Sequence, residues 1–455
     1  MVETVCHGLP IAAAIVPNRT RELHAIDDSH ATEIVAYTDD VKEATGRNYH
    51  LTMSEGDLAR KAVDGNYTDA PWRPYDPLQP RFSARVLESI DDVMKDYGTA
   101  FFYPYTQTPH AVELSERTGM ELVGPRLDVK EELNDKTTVY QDVKERGVNV
   151  PEGEVVSGVD EAVDVLLGED WEDGAFVSAE GGAGGSGATH AETPEDIYGF
   201  FGRDYDDGDL LMVRWIDDIR SAPNVFVLID DSGPHILSAS DQIIADGTDY
   251  RGNTYPLNID DTVREEVHKQ CEAVAEYMWE KGYRTTAGID GITTDDTFYF
   301  VEINPRRNHS TVMNTVMLEE ARPDDMPPLP LIEAEISLGY DKSYDFDEWA
   351  ERVDDLDVTW DMFVFQRPEW ARLESLPLTL EGRDHSWDFS SSYITNIPAA
   401  EGTVAPKSYG TPKSGGHSRR ATPNELGRIV TTDPATRSRV VSDVERHFSF
   451  FGDGQ

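Results

Sequence analysis

The sequence predicts an α/β protein of several domains, and three observations carry that prediction. Its 455 residues exceed what one ordinary hydrophobic core serves. The first 125 or so alternate strand-type runs with helical periodicity, and farther on a long helical pattern leads into two strands around a tight turn.

The elements follow in chain order. Residues 11–16 and 34–37 are apolar runs of strand type, 84–97 repeats at helical spacing, and 99–103 is strand-like again. Pro109 opens a helix at a position where its missing N–H costs nothing, and 121–124 reads as another strand. Between the runs at 34–37 and 84–97, residues 69–81 hold four prolines and read as an ordered but irregular surface loop. From 128 to 146 the spacing of Val129, Leu133, Tyr140 and Val143 predicts one helix, stopped by Gly147 and followed by Pro151. A helix over 161–167 and a strand over 175–178 lead into a glycine-rich segment. Strands are expected over 210–216, 225–230 and 235–238, a long helix over 261–281, and paired strands over 286–290 and 298–303. Beyond 335 the patterning weakens.

Composition narrows the function. Hydrophobic residues make up 38% of the chain, with 8 Trp, 19 Tyr and 16 Phe, which excludes wholesale disorder. Acidic residues outnumber basic ones 87 to 40, giving a formal charge of -47 spread along the whole chain, which argues against nucleic-acid or anionic-membrane partners. Asp exceeds Glu, 49 to 38, and Lys at 11 falls far below Arg at 29, a bias that resembles the proteins of salt-in halophiles. No run of about 18 apolar residues exists to span a membrane. No signal peptide is read, and two distant cysteines, Cys6 and Cys271, fit a reducing cytoplasm.

Three segments carry chemistry. Gly181-Gly182-Ala183-Gly184-Gly185-Ser186-Gly187 follows a strand, and glycines leave several N–H groups free to surround an anion such as a nucleotide phosphate. Gly182, Gly184 and Gly187 also satisfy the dinucleotide spacing G-x-G-x-x-G, although Pro194 comes too soon for a helix opening at the third glycine. On the strand at 298–303, Glu302 and Asn304 are two apart and share a face at its end, half of an oxygen site for a hard cation. Asp290 on the neighbouring strand could supply a third oxygen, while a solvated strand edge is the plainer reading. Lys136, in Asn134-Asp135-Lys136, is one of few lysines and sits early on a helix.

The order of these pieces resembles the ATP-grasp superfamily of carboxylate–amine ligases. The match runs over roughly 120–315: Asp135-Lys136, the glycine flap, the linker strand 211–216, Ala287-Gly288-Ile289-Asp290-Gly291, and Glu302-Ile303-Asn304-Pro305-Arg306, the most specific piece. It implies a pre-ATP-grasp α/β domain over 1–125 and a two-lobed α+β ATP-grasp module. The N-lobe with its flap would span 126–208, the C-lobe with the metal strands 209–335, and a C-terminal extension 336–455. Peptide-ligase-type members are the most similar subgroup. The resemblance further implies ATP and Mg²⁺ as cofactors. Lys136, Gly182, Gly184, Gly185 and Gly187 would hold phosphate, and Met212, Val213, Arg214 and Trp215 would meet the nucleobase. Asp290, Glu302 and Asn304 would hold the metal, and Arg306 would face an acyl phosphate. The partners would be a small carboxylate and an amine. Ser178 stands where such proteins carry a second lysine, so a non-catalytic nucleotide-binding protein stays open beside the ligase, as does a dinucleotide-dependent oxidoreductase. Lys407, Lys413, His417, Arg419 and Arg420 gather late positive charge suited to a mobile loop over an anion.

Overall fold

The computed structural model describes residues 121–366 apart from short gaps, of which 182–186 is the longest, and outside that span mainly the strands named here. The pairs β1 (Ile11–Ala12) and β2 (Leu23–His24) precede a four-stranded sheet of β3 (Thr32–Tyr37), β4 (Tyr49–Ser54), β5 (Ala100–Pro104) and β6 (Glu121–Leu122), ordered β4-β3-β5-β6. Its β5–β6 pair is parallel, while β3 pairs antiparallel with both β4 and β5. The expected helix over 84–97 lies outside the described residues.

One helix was expected over 128–146, and the structure has two, α1 (Leu127–Asn134) and α2 (Lys136–Glu145). The break is Asp135, whose backbone is extended and whose carboxylate accepts from the amides of Thr137 and Thr138, capping α2. A side chain that satisfies free N–H groups starts a new helix even where apolar spacing runs on unbroken.

The next lobe is a four-stranded sheet, ordered β7-β10-β8-β9, of β7 (Gly153–Val156), β8 (Ala175–Ala179), β9 (Ala188–Ala191) and β10 (Leu210–Arg214), with α3 (Val159–Gly168) and α4 (Pro194–Phe201). Alternation decides its two faces. Val177, Leu210 and Met212 pack with α3 and α4, whereas Phe176, Leu211 and Val213 turn to Tyr140 of α2.

The largest sheet has seven strands, ordered β15-β14-β11-β12-β13-β16-β20. They are β11 (Pro223–Ile229), β12 (Pro234–Ala245), β13 (Asp249–Tyr255), β14 (Thr285–Thr293), β15 (Phe298–Asn304), β16 (Trp360–Gln366) and β20 (Glu425–Thr431). Two of them thus come from beyond residue 335. A separate three-stranded sheet holds β17 (Thr379–Glu381), β18 (Ser386–Asp388) and β19 (Glu401–Thr403). The seven-stranded sheet is covered on both faces, so β11 is buried throughout. Val225, Val227 and Ile229 enter a core with α1, α2 and the long helix α5 (Asp261–Glu280). Phe226 and Leu228 enter a second core with α6 (Thr311–Ala321), α7 (Leu329–Ser337) and α8 (Phe346–Asp354). Reaching both cores takes strands that are apolar on both faces.

Candidate active site

The site lies at one end of β11, β14 and β15. Cross-strand pairing sets Asn224 opposite Asp290 and Asp290 opposite Glu302, one row across three strands, with Asn304 opposite Gly288 in the next row. Asn304 donates through Nδ2 to Asp290 Oδ2 at 2.6 Å and to Glu302 Oε1 at 3.3 Å, and Asn224 Nδ2 donates to the other oxygen of Asp290. Asn224 is held in turn by Ser310, whose hydroxyl donates to its Oδ1 at 2.6 Å. Gly288 makes room for this network: a Cβ there would meet Asn308 Nδ2 at 2.2 Å and Asn224 Nδ2 at 3.1 Å.

Lys136 reaches the row from the first turn of α2, its Nζ 2.6 Å from Glu302 Oε2, with both side chains mostly buried. The predicted phosphate-binding lysine and the predicted metal carboxylates therefore form one cluster. Burial and the charge of Glu302 raise the Asp290 carboxyl above the ordinary carboxylate range, against the hydrogen bonds from Asn224 and Asn304 and the charge of Arg306. Burial also works to raise Glu302, but Lys136 by charge and hydrogen bond, helped by Arg306, carries it below its usual value. Two carboxylates and an amide side by side offer oxygen donors to a hard cation, which would relieve the repulsion that raises Asp290. Among the described residues no group of three or more His, Cys, Asp or Glu gathers for a metal, so a donor set here depends on the Asn304 amide.

Arg306 follows β15 at the mouth of the cluster and donates to the carbonyl of Arg307 at 3.2 Å. Arg307 turns inward, 3.0 Å from Glu333 of α7, and Glu333 also accepts from the hydroxyls of Thr285 and Thr286 at 2.9 and 2.6 Å. That buried pair ties the loop after β15 to the sheet.

The strands on either side of the glycine segment, β8 and β9, pair antiparallel, and Ala179 N–H donates to Gly187 O at 2.9 Å. A dinucleotide fold needs strand, loop and helix in succession, so the oxidoreductase reading falls. Gly182, Gly184 and Gly185 lie outside the described residues, as do the late basic residues. The flap's entry is fixed to the cluster, because Lys136 N–H donates to Glu180 O at 2.8 Å. Met212 and Val213 are buried between β7 and β8, which pair with β10 on either side, so their main-chain groups belong to the sheet ladder. The expectation that they meet a nucleobase through the backbone is corrected on that ground. Arg214 is paired with Glu152 at 2.9 Å, and Trp215 stacks on His190 with centroids 4.1 Å apart. Ser178 Oγ is buried with no hydrogen-bond partner, on the face that looks toward α2.

Sequence reasoning missed Asn224, whose signal was one amide in an otherwise apolar strand, and Glu333, an acid inside an apolar helix.

A two-lobed fold with an acidic and amide cluster at strand ends, a lysine across the seam and a glycine-rich stretch between two paired strands defines the ATP-grasp class. Residues 133–310 match the family model for the ATP-grasp domain, and the chain carries that domain. The [butirosin acyl-carrier protein]–L-glutamate ligase of Niallia circulans is 22% identical over 228 residues, 48% of this chain and 54% of that protein, so the chain spans about half the length of the curated relative it matches. Among solved structures, the biotin carboxylase domain of Hydrogenobacter thermophilus 2-oxoglutarate carboxylase, crystallised with MgADP, ADP and bicarbonate, superposes with a TM-score of 0.54 at 17% identity, covering 79% of this chain and 76% of that one. The biotin carboxylase of Campylobacter jejuni, in complex with an ATP analogue, gives 0.52 at 15% identity, covering 77% and 75%. At such identities these two show a common fold. Among the described residues no helix is long and apolar enough to cross a membrane.

Proposed function

We propose that the protein is an ATP-dependent carboxylate–amine ligase that forms an amide through an acyl phosphate. The observation that carries this is the convergence of Lys136, Asp290, Glu302 and Asn304 from different elements on one point. Support comes from the named activity of the Niallia relative and from the nucleotide and magnesium in the Hydrogenobacter structure. Asp290, Glu302 and Asn304 would hold Mg²⁺, which when bound neutralises charge on the β- and γ-phosphates.

The chain's own groups do the positioning. Lys136 leaves Glu302 for a phosphate oxygen, and the flap with Gly182, Gly184, Gly185 and Gly187 covers the phosphates and excludes water. A carboxylate oxygen bonds to the γ-phosphorus as the bond to ADP breaks. Arg306 stabilises the charge on the acyl phosphate. The amine nitrogen then bonds to the acyl carbon, the carbon–oxygen bond to phosphate breaks, and the nitrogen gives up a proton. Arg214 and Trp215 border the nucleobase at the end of β10.

Incubation with Mg-ATP and a pool of amino acids, with ADP and new amide masses measured, tests the reading; ADP formed only when a carboxylate is present is the expected result. Ser178 supports a second reading, because a buried hydroxyl has replaced a cation and the site would bind nucleotide without turnover. Binding of Mg-ATP with no ADP from any pool would select it. The chain works in a salt-rich cytoplasm, where a distributed charge of -47 is screened, on a small carboxylate and a small amine and without nucleic acid or membrane. Domain limits at 125, 208 and 335 belong to the same proposal.

A further inference from the structure

From Asp290 a chain of hydrogen bonds leads back through the start of α6 to β12. Ser238 of β12 donates to Asn314 Oδ1 at 3.0 Å, and Asn314 Nδ2 donates to Ser310 Oγ at 3.2 Å. Ser310 donates to Asn224 Oδ1 at 2.6 Å, and Asn224 Nδ2 donates to Asp290 Oδ1. All four polar side chains are buried, none more than 5% exposed.

Chemistry fixes the direction of every link, starting from the carboxylate. An ionised carboxylate only accepts, so Asn224 must turn its nitrogen to Asp290 and its oxygen to Ser310. The Ser310 hydroxyl has one proton and two amide oxygens in reach, that of Asn224 and that of Asn308 at 2.7 Å. Asn308 Oδ1 also accepts from the Thr311 hydroxyl at 3.1 Å, whereas among the described residues Asn224 Oδ1 accepts from Ser310 alone. Satisfying both buried oxygens therefore gives the Ser310 proton to Asn224. Asn314 must then present its N–H to Ser310, its oxygen faces Ser238, and the Ser238 hydroxyl has to donate. Links that all point one way polarise one another, and the last of them ends on a charge.

We infer that Ser238, Asn314 and Ser310 are positioning residues of the cation site, a relay that orients Asn224 and through it pins Asp290 Oδ1. This rests on the metal role proposed for Asp290 and adds to it the groups that aim that carboxylate. With Oδ1 held by the relay, Oδ2 is the oxygen on the side of Glu302, where Asn304 Nδ2 donates to both carboxylates.

Mn²⁺ in the presence of ADP is the probe, read by water-proton relaxation on the full-length protein. Ser310→Ala should weaken Mn²⁺ about tenfold or more and Ser238→Ala about threefold or more, as loss of a group that orients a metal ligand requires. Ser238→Thr keeps the hydroxyl and should restore most of the affinity. In a Ser310→Ala background, Ser238→Ala should add no further loss, because its path to Asp290 is already cut. Ser240→Ala is the control for packing. Ser240 lies two residues along β12, is as buried, and accepts from Asn253 Nδ2 at 3.1 Å instead, so its loss should leave Mn²⁺ affinity unchanged. Unchanged affinity in Ser238→Ala, additive losses in the double variant, or equal weakening by Ser240→Ala would each overturn the relay while the cation site stands. If the wild type takes up no Mn²⁺ with ADP, the metal reading falls and the relay with it. Should Ser310→Ala fail to fold, Ser238→Ala against Ser238→Thr and Ser240→Ala decides the matter.

Discussion

Replacing Glu302 with Gln separates catalysis from folding because two opposed interactions meet on that carboxylate. Lys136 Nζ lies 2.6 Å from one oxygen, and with charge centres ~4 Å apart at an effective dielectric of ~20 the attraction is about 4 kcal/mol. Asp290 sits directly across the ladder, and at a separation of ~5 Å the repulsion is about 3 kcal/mol. Gln loses both together. The net change in stability should be about 1 kcal/mol, a shift of a few degrees in melting temperature. Phosphoryl transfer has no such compensation, since the lost charge is one that would hold the cation neutralising the phosphates. ADP release, followed by coupled oxidation of NADH, should fall by two orders of magnitude or more, equivalent to about 3 kcal/mol of barrier. Wild-type turnover in the Gln variant would refute the metal assignment. A destabilisation of 4 kcal/mol or more would refute the cancellation, because it would mean that attraction acts alone.

Gly288→Ala drives a methyl into the Asn308 and Asn224 amides, so it should cost about 1–3 kcal/mol in chemical denaturation and impair ADP release with it. Glu333→Gln removes the carboxylate partner of buried Arg307, and denaturant titration should show a loss of about 3 kcal/mol. Burial works to raise the Asp230 carboxyl, yet the His235 and Ser232 hydrogen bonds and the charge of His235 bring it below its usual range. Its contribution is therefore fully present above the unfolded carboxylate pKa near 4 and lost as pH falls through the lowered value, so the stability gap to Asp230→Asn should close in acid melts. The melting temperature of the wild type should rise between dilute buffer and ~2 M KCl, where the screening length falls to a few ångströms.

The parts of the site that lie on long, strongly patterned strands were legible from residue order. The strands over 285–293 and 298–304 could be placed from alternation, and two-residue spacing put Glu302 and Asn304 on one face. The run of Val129, Leu133, Tyr140 and Val143 was also real, but apolar spacing is blind to a capping carboxylate, and Asp135 divided the helix. β12 runs to Ala245 although only its start was expected, because Asp241 and Gln242 interrupt the apolar pattern while their backbone stays in the ladder. Asn224 and Glu333 escaped notice for another reason. Each acts through a partner more than forty residues away, Asp290 for one and Thr285 and Thr286 for the other, and local periodicity holds no information on such pairs.

The strand that bears Glu302 is the outermost of its sheet. β15 has β14 on one side only, and its other edge is met by the connection out of α2, where Phe300 N–H donates to the carbonyl of Asn149 at 2.8 Å. Asn149 lies on the short link that carries the chain into β7, so that link is fastened two residues from Glu302. An edge strand is held less firmly than one paired on both sides, so this single hydrogen bond replaces, beside Glu302, part of the pairing that a second neighbouring strand would have given.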